Sequence, residues 1–154
     1  MPSHVDIPDL LERPRQRIVL RQPLRATTDV AWASLTGTED WTQWLGARSV
    51  RWVTEAPHGV GSRRIVTMGP MEILEHFTVW EEGRRFAFRF VKSSMPVRAF
   101  AEDYLLEPTS TGCTLHWTIA VDALRGVQRG VLTGMRINGA RTLPKLAALL
   151  AGRS

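Results

Sequence analysis

Residues 84–122 read Arg84-Arg-Phe-Ala-Phe-Arg-Phe-Val-Lys92, Ser93-Ser-Met-Pro-Val97, Arg98-Ala-Phe-Ala-Glu-Asp-Tyr-Leu-Leu-Glu107, Pro108-Thr-Ser-Thr-Gly112 and Cys113-Thr-Leu-His-Trp-Thr-Ile-Ala-Val-Asp122. Three alternating runs are separated by two short breaks of turn chemistry. Neighbours joined this way are antiparallel, because a parallel pair needs a crossover of a dozen or more residues. Alternation also sorts the side chains, since successive residues of a strand point to opposite faces. Phe86, Phe88 and Phe90 share a face, as do Phe100, Glu102, Tyr104 and Leu106, and then Leu115, Trp117, Ile119 and Val121. These three sets are expected to line one interior.

The same period extends upstream. Arg48–Glu55, Val60–Met68 and Met71–Glu81 are strand candidates, broken at Pro57-His-Gly59, Gly69-Pro70 and Glu82-Gly83. Both faces of Met71–Glu81 are mixed. The set Ile73, Glu75, Phe77 and Val79 is expected inward, which leaves His76 outside. Arg17–Arg25 has strand composition, and Pro23 assigns it to an edge or a strand end because proline cannot donate to a ladder. Between these strands, Thr28-Asp29 reads as a cap before a short helix at Val30–Leu35. A second short helix spans Thr38–Leu45, with Trp41, Trp44 and Leu45 on one face. Residues 1–16, with Pro2, Pro8 and Pro14, read as an arm containing one helical turn at Asp9–Arg13.

From Leu124 to Ala151 the period becomes helical. Leu124, Val127, Val131, Met135, Thr142, Leu146 and Leu149 form one stripe, with Arg125, Arg129 and Arg136 opposite. Pro144 removes a helical hydrogen bond and is expected to kink the helix. Gly126, Gly130 and Gly134 recur off the stripe, each costing about 1 kcal/mol against alanine. They would admit a second helix in a homodimer or let the helix bow around a ligand; alternatively, Gly126 and Gly130 precede a helix that begins later. Segregated strands and helices make the class α+β: a seven-stranded curved antiparallel sheet, two short helices, and a long C-terminal helix across the concave face.

A length of 154 residues fits one domain, residues 17–151, after the arm. Hydrophobic residues at 44% and charged residues at 23% are those of a soluble globular protein. The single Cys113 excludes an internal disulfide framework and fits a reducing compartment. No apolar run reaches the roughly 20 residues of a membrane span. The N-terminus lacks a secretory pattern, so a cytoplasmic location without stable membrane insertion is expected. The net charge is +5, but the basic residues are dispersed and their longest run is a pair. Nucleic acid is therefore not an expected partner.

Several segments add a resemblance. Ala26–Trp32, Asp40-Trp41-Thr-Gln-Trp44-Leu45, Val60-Gly61-Ser-Arg-Arg64, Val79-Trp80-Glu81 with Arg85-Phe86-Ala-Phe88, Thr111–Trp117 and Leu143-Pro144-Lys-Leu146 stand in order along the chain. Together they resemble the SRPBCC superfamily (START-like, birch-pollen-allergen-like), in its bacterial polyketide cyclase/dehydrase branch. The resemblance covers about residues 17–150. It implies a helix-grip fold enclosing an apolar cavity, a fold that hosts carriers, cyclases and regulators alike.

The candidate ligand-binding residues are Trp44, Phe77, Phe86, Phe88, Phe90, Phe100, Glu102, Tyr104, Trp117 and Met135. The aromatics could simply fill a core, but a carboxyl and a phenol on the same inward face describe a ligand site. Glu102 could instead pair with Arg63 or Arg89, or be turned outward by a bulge. A non-catalytic carrier or sensor of a hydrophobic small molecule (lipid, polyketide or aromatic metabolite) needs only the cavity and a gate at Lys92–Val97 or Pro57–Val60. A cyclase or dehydrase would use Glu102 as acid or base and Tyr104 to polarise a carbonyl. A dimeric interaction or regulatory protein is the third reading. No nucleophile elbow is present. The histidines at 4, 58, 76 and 116 show no ligand spacing, so no metal site and no cofactor are expected.

Overall fold

The computed structural model describes residues 7–13 and 15–154. In chain order the elements are α1 (Ile7–Glu12), β1 (Arg17–Leu24), α2 (Thr28–Thr36), α3 (Trp41–Trp44), β2 (Ser49–Trp52), β3 (Arg63–Met68), β4 (Met71–Glu81), β5 (Arg85–Lys92), β6 (Ala99–Thr109), β7 (Gly112–Asp122) and α4 (Arg125–Leu150). The strands make one antiparallel sheet in the order β1-β7-β6-β5-β4-β3-β2. This is the α+β helix-grip architecture that the alternation and segment order imply. β1 is an edge strand, as Pro23 requires, and it joins the sheet through β7 alone. Pro2, Pro14 and His4 lie outside the described residues.

Alternation places the inner face correctly on β5, β6 and β7. Phe86, Phe88, Phe100, Tyr104, Leu106, Leu115, Trp117, Ile119 and Val121 are all buried. On β4 it fails at one step. A register shift between Phe77 and Val79 inserts an extra residue, and such a bulge reverses the facing of the residues beyond it. Ile73, Glu75 and Phe77 therefore point inward as expected. Val79 turns to the outer face, and Trp80 takes its place among Trp32, Phe77 and Phe86.

The outer face is not bare. Leu10 and Leu11 of α1 are buried against Ala87, Ala101 and Ala120, one small residue from each of three adjacent strands. Arg17 Nη1 ties the helix down by donating to the Leu11 carbonyl at 2.8 Å. The turn expected at Asp9–Arg13 is thus part of a helix docked on the back of the sheet.

On the inner side, Thr27 caps α2 by accepting from Val30 N at 3.2 Å, one residue before the expected cap. The second short helix is a single turn, α3, with Trp41 and Trp44 buried. The Trp41 indole donates to the Leu35 carbonyl at 3.1 Å, satisfying an acceptor at the end of α2. α4 runs through Pro144 without interruption and packs on β1, β7 and α3. Its buried residues are Gly139, Thr142, Leu143, Leu146 and Leu150. Leu143 and Leu150 therefore join the expected stripe, whose Val127, Val131, Met135 and Leu149 pack against the core while Leu124 is 70% exposed. Gly139 sets this contact, since a Cβ there would stand 2.3 Å from Leu20 Cδ1.

Because α4 begins at Arg125, Gly126 and Gly130 lie inside the helix and not before it. All three repeating glycines are exposed, and a Cβ at any of them would meet nothing within 4 Å. Gly112 is the opposite case. It has φ +155, and a Cβ would meet the Leu24 carbonyl oxygen at 2.1 Å. In urea unfolding, Gly112→Ala is expected to lose more than about 2 kcal/mol, from backbone strain and collision together. Gly130→Ala should gain up to about 1 kcal/mol. A loss at position 130 would contradict its open surroundings.

Candidate ligand-binding site

Between the inner face of the sheet, α3 and the middle of α4 lies a cavity of about 170 Å3. Seven of the expected residues line it: Phe88, Phe90, Phe100, Glu102, Tyr104, Trp117 and Met135. Trp44, Phe77 and Phe86 do not. They are buried in the core beside it, where Trp44 packs on Trp41 and Trp117, and Phe77 and Phe86 pack on each other. The lining also includes Trp41, Glu75, Asn138 and the methionines Met68, Met71 and Met95. With Met135, every methionine after the first residue faces this space. Sequence reading missed this because the four sit on four different segments, and only the folded sheet and helix bring them together.

Of the two expected lips, Lys92–Val97 contributes Met95 to the wall. Pro57–Val60 contributes nothing to it. His58 instead stacks on Trp52 with centroids 3.8 Å apart.

Glu102 is 6% exposed and faces inward, since β6 runs without a register shift against both neighbours. Neither expected cation reaches it: among the described residues it has no salt bridge, and Arg63 Nε donates to His76 Nδ1. Its Oε1 accepts from the Trp117 indole at 2.6 Å and from the Tyr104 hydroxyl at 3.1 Å. Burial pushes the carboxyl up to about 8, and the nearby Glu75 charge adds to the rise. Hydrogen bonds from Trp117 and Tyr104 and the charge of Arg64 oppose it. Burial, with Glu102 alongside, also holds the Tyr104 hydroxyl well above its ordinary range.

Glu75 has the cation that Glu102 lacks. Arg64, opposite it on β3, is fully buried and donates to Glu75 Oε1 from Nε at 3.0 Å and from Nη2 at 2.9 Å. Its third bond, from Nη1, goes to the Leu35 carbonyl at 3.1 Å. Trp41, Trp52, Phe77 and Phe88 surround the guanidinium, with centroids 4.7 to 5.7 Å away. Burial pushes the Glu75 carboxyl up against the pull of Arg64. The signal for Arg64 was present in the sequence: on β3 it alternates in phase with Val66 and Met68, which line the cavity.

A family model described as polyketide cyclase/dehydrase and lipid transport matches residues 15–151. Among curated proteins, uncharacterized proteins of Mycobacterium tuberculosis and Mycobacterium bovis are 38% identical over 100 residues, covering 63% of this chain and 60% of theirs. The match thus spans about three fifths of those relatives' length. Among solved structures, a Mesorhizobium loti protein superposes with a TM-score of 0.73 at 18% identity, covering 90% of this chain and 99% of its own. The major latex-like protein 151 of Panax ginseng gives 0.70 at 14% identity, covering 87% and 96%. At these identities the structural likeness is one of fold.

The raised Glu102 carboxyl makes stability depend on pH. Between its unfolded value near 4.5 and its folded value of about 8, the folded chain holds a proton that the unfolded chain has released. Stability from this group is therefore full below that window and falls as pH rises through it. Glu102→Gln keeps the shape and cannot ionise. It is expected to stabilise the protein more at pH 8 than at pH 5, by a margin of at least about 1 kcal/mol in urea unfolding. Equal effects at both pH values would contradict an uncharged Glu102.

Proposed function

The chain belongs to the polyketide cyclase/dehydrase and lipid transport family, and from that premise we propose that it binds a hydrophobic small molecule in its internal cavity, as a carrier or sensor. The observation that carries this reading is an apolar, methionine- and aromatic-lined space inside an otherwise packed core. Close packing is the rule in protein interiors, so a space larger than a few waters needs a reason. Methionine is the residue that best adapts to ligands of varied outline. Phe90 and Phe100 stack at 4.2 Å, and Tyr104 stacks on Trp117 at 5.4 Å, giving flat walls suited to a planar guest.

Volume narrows the choice among lipid, polyketide and aromatic metabolite. An engineered cavity of about 150 Å3 accepts benzene, and pockets for drug-sized ligands run to roughly 300 Å3 or more. At about 170 Å3 the space is of the size that takes one or two fused rings. Met95 sits on the loop joining β5 and β6, at the edge of the cavity, and is the natural gate. The free, buried thiol of Cys113 agrees with a role in the reducing cytoplasm.

A second reading is acid–base catalysis in the same cavity. Glu102, at about 8, lies in the range where a general acid works near neutral pH. Full turnover of an identified substrate by Glu102→Gln would remove this reading and leave the carrier.

Native mass spectrometry of protein purified from its own cells is the direct test. A non-covalent adduct of a few hundred daltons or less is expected, together with a thermal shift from bicyclic aromatics. Met95→Trp, which puts bulk at the gate, should lose both while keeping its melting temperature within a few degrees. No adduct and no shift with any apolar compound would count against ligand binding.

A further inference from the structure

The wall of the cavity is almost entirely apolar, and the orientation of its one unpaired carboxyl says what kind of polar atom a guest must carry. An indole nitrogen can only donate. The 2.6 Å contact from Trp117 therefore makes Oε1 of Glu102 an acceptor, and the Tyr104 hydroxyl donates to the same oxygen. A proton held by this carboxyl must then sit on Oε2. Among the described residues, Oε2 has no hydrogen-bond partner, and it is not one of the fully enclosed atoms lacking one, so it looks onto the cavity.

The charges around it exclude an anionic guest. From β4, Glu75 lines the same cavity as a second carboxyl. From β3, Arg64 is the nearest cation, but Nε, Nη1 and Nη2 are all committed to Glu75 and the Leu35 carbonyl. Tyr104 on β6 is held neutral. Trp117 of β7, Trp41 of α3, and Met135 and Asn138 of α4 carry no charge. A ligand carboxylate or phosphate would enter with no counter-ion, and an ionised group buried without a partner is strongly disfavoured. A pure hydrocarbon would leave the Oε2 hydroxyl unpaired.

We propose that Glu102 is a specificity-determining hydrogen-bond donor, its Oε2 hydroxyl binding the carbonyl oxygen of a neutral ligand of one or two fused rings. This rests on the cavity being a ligand site, as proposed above. A neutral hydrogen bond contributes about 1 kcal/mol, which is roughly a fivefold preference for a ketone over its hydrocarbon counterpart. The preference disappears when Glu102 ionises, because a carboxylate can no longer donate and repels a carbonyl oxygen.

The test uses 1-tetralone and tetralin, which share a skeleton and differ by one carbonyl, with affinities read from tryptophan fluorescence. Comparing the ratio of the two affinities between conditions cancels their different solvation in water. In the wild-type protein, the tetralone-to-tetralin ratio is expected to fall at least fivefold between pH 6 and pH 9.5. In Glu102→Gln, the side-chain oxygen still accepts from Trp117 and Tyr104, and the amide donates where Oε2 did. Its ratio should stay within twofold of the wild-type pH 6 value at both pH values. A wild-type ratio that does not change with pH, or an equal fall in Glu102→Gln, overturns the donor role and leaves the cavity as a ligand site. If neither compound binds the wild-type protein at pH 6, both the donor role and the cavity reading fall.

Discussion

Arg64 is fully buried, and much of the structure is organised around that constraint. Burying a guanidinium is tolerable only if its donors are met and its charge balanced. Here three of its nitrogens are met by Glu75 and by the end of α2, and four aromatic rings cover the rest. The interaction fastens the helical layer to the sheet: β3 and β4 supply the pair, α2 supplies the carbonyl, and Trp41 of α3 lies over the guanidinium. It also defines the polarity of the cavity. The Glu75 charge that balances Arg64 is one of the forces keeping a proton on Glu102. One ion pair thus anchors the helical layer, while burial, with a smaller push from Glu75, keeps the neighbouring carboxyl uncharged.

The fold was legible because its signals are local. Period-two alternation and short turns specify antiparallel strands wherever one face is buried. Phe86, Phe88, Phe100, Tyr104 and Trp117 needed no tertiary information to be assigned inward. The failures come where distant parts of the chain decide. The bulge at Phe77/Val79 depends on how β4 meets β5, so alternation alone put Val79 inside and Trp80 outside. The docking of Leu10 and Leu11 depends on alanines from three strands far along the chain. The expected stripe on α4 missed Gly139, Leu143 and Leu150, which are buried where Gly139 lets the helix settle against Leu20, far away in the chain.

The cavity shows the same division. Strand periodicity found the carboxyl and the phenol, and with them the aromatic walls. Trp44, Phe77 and Phe86 were included because inwardness is all that periodicity reports. It cannot tell a residue that touches a void from one packed a layer deeper. Arg64 escaped because a basic residue is read by default as solvated, although its phase on β3 matched Val66 and Met68. A charged residue in phase with a buried set is better read as half of a buried pair, and its partner sought on the adjoining strand.

The pairing of β1 with β7 has a consequence for how the chain is made. Arg17 lies against Ala120, about a hundred residues later. During synthesis the first strand emerges early and has no partner until nearly the whole sheet has been translated, and α4, which covers the concave face, comes last. Closing so long a loop is slow compared with forming a hairpin. The β2–β7 meander can zip up as it leaves the ribosome, while β1 waits as an unpaired edge. Pro23, placed in that strand, makes it a poor template for pairing with a neighbouring nascent chain.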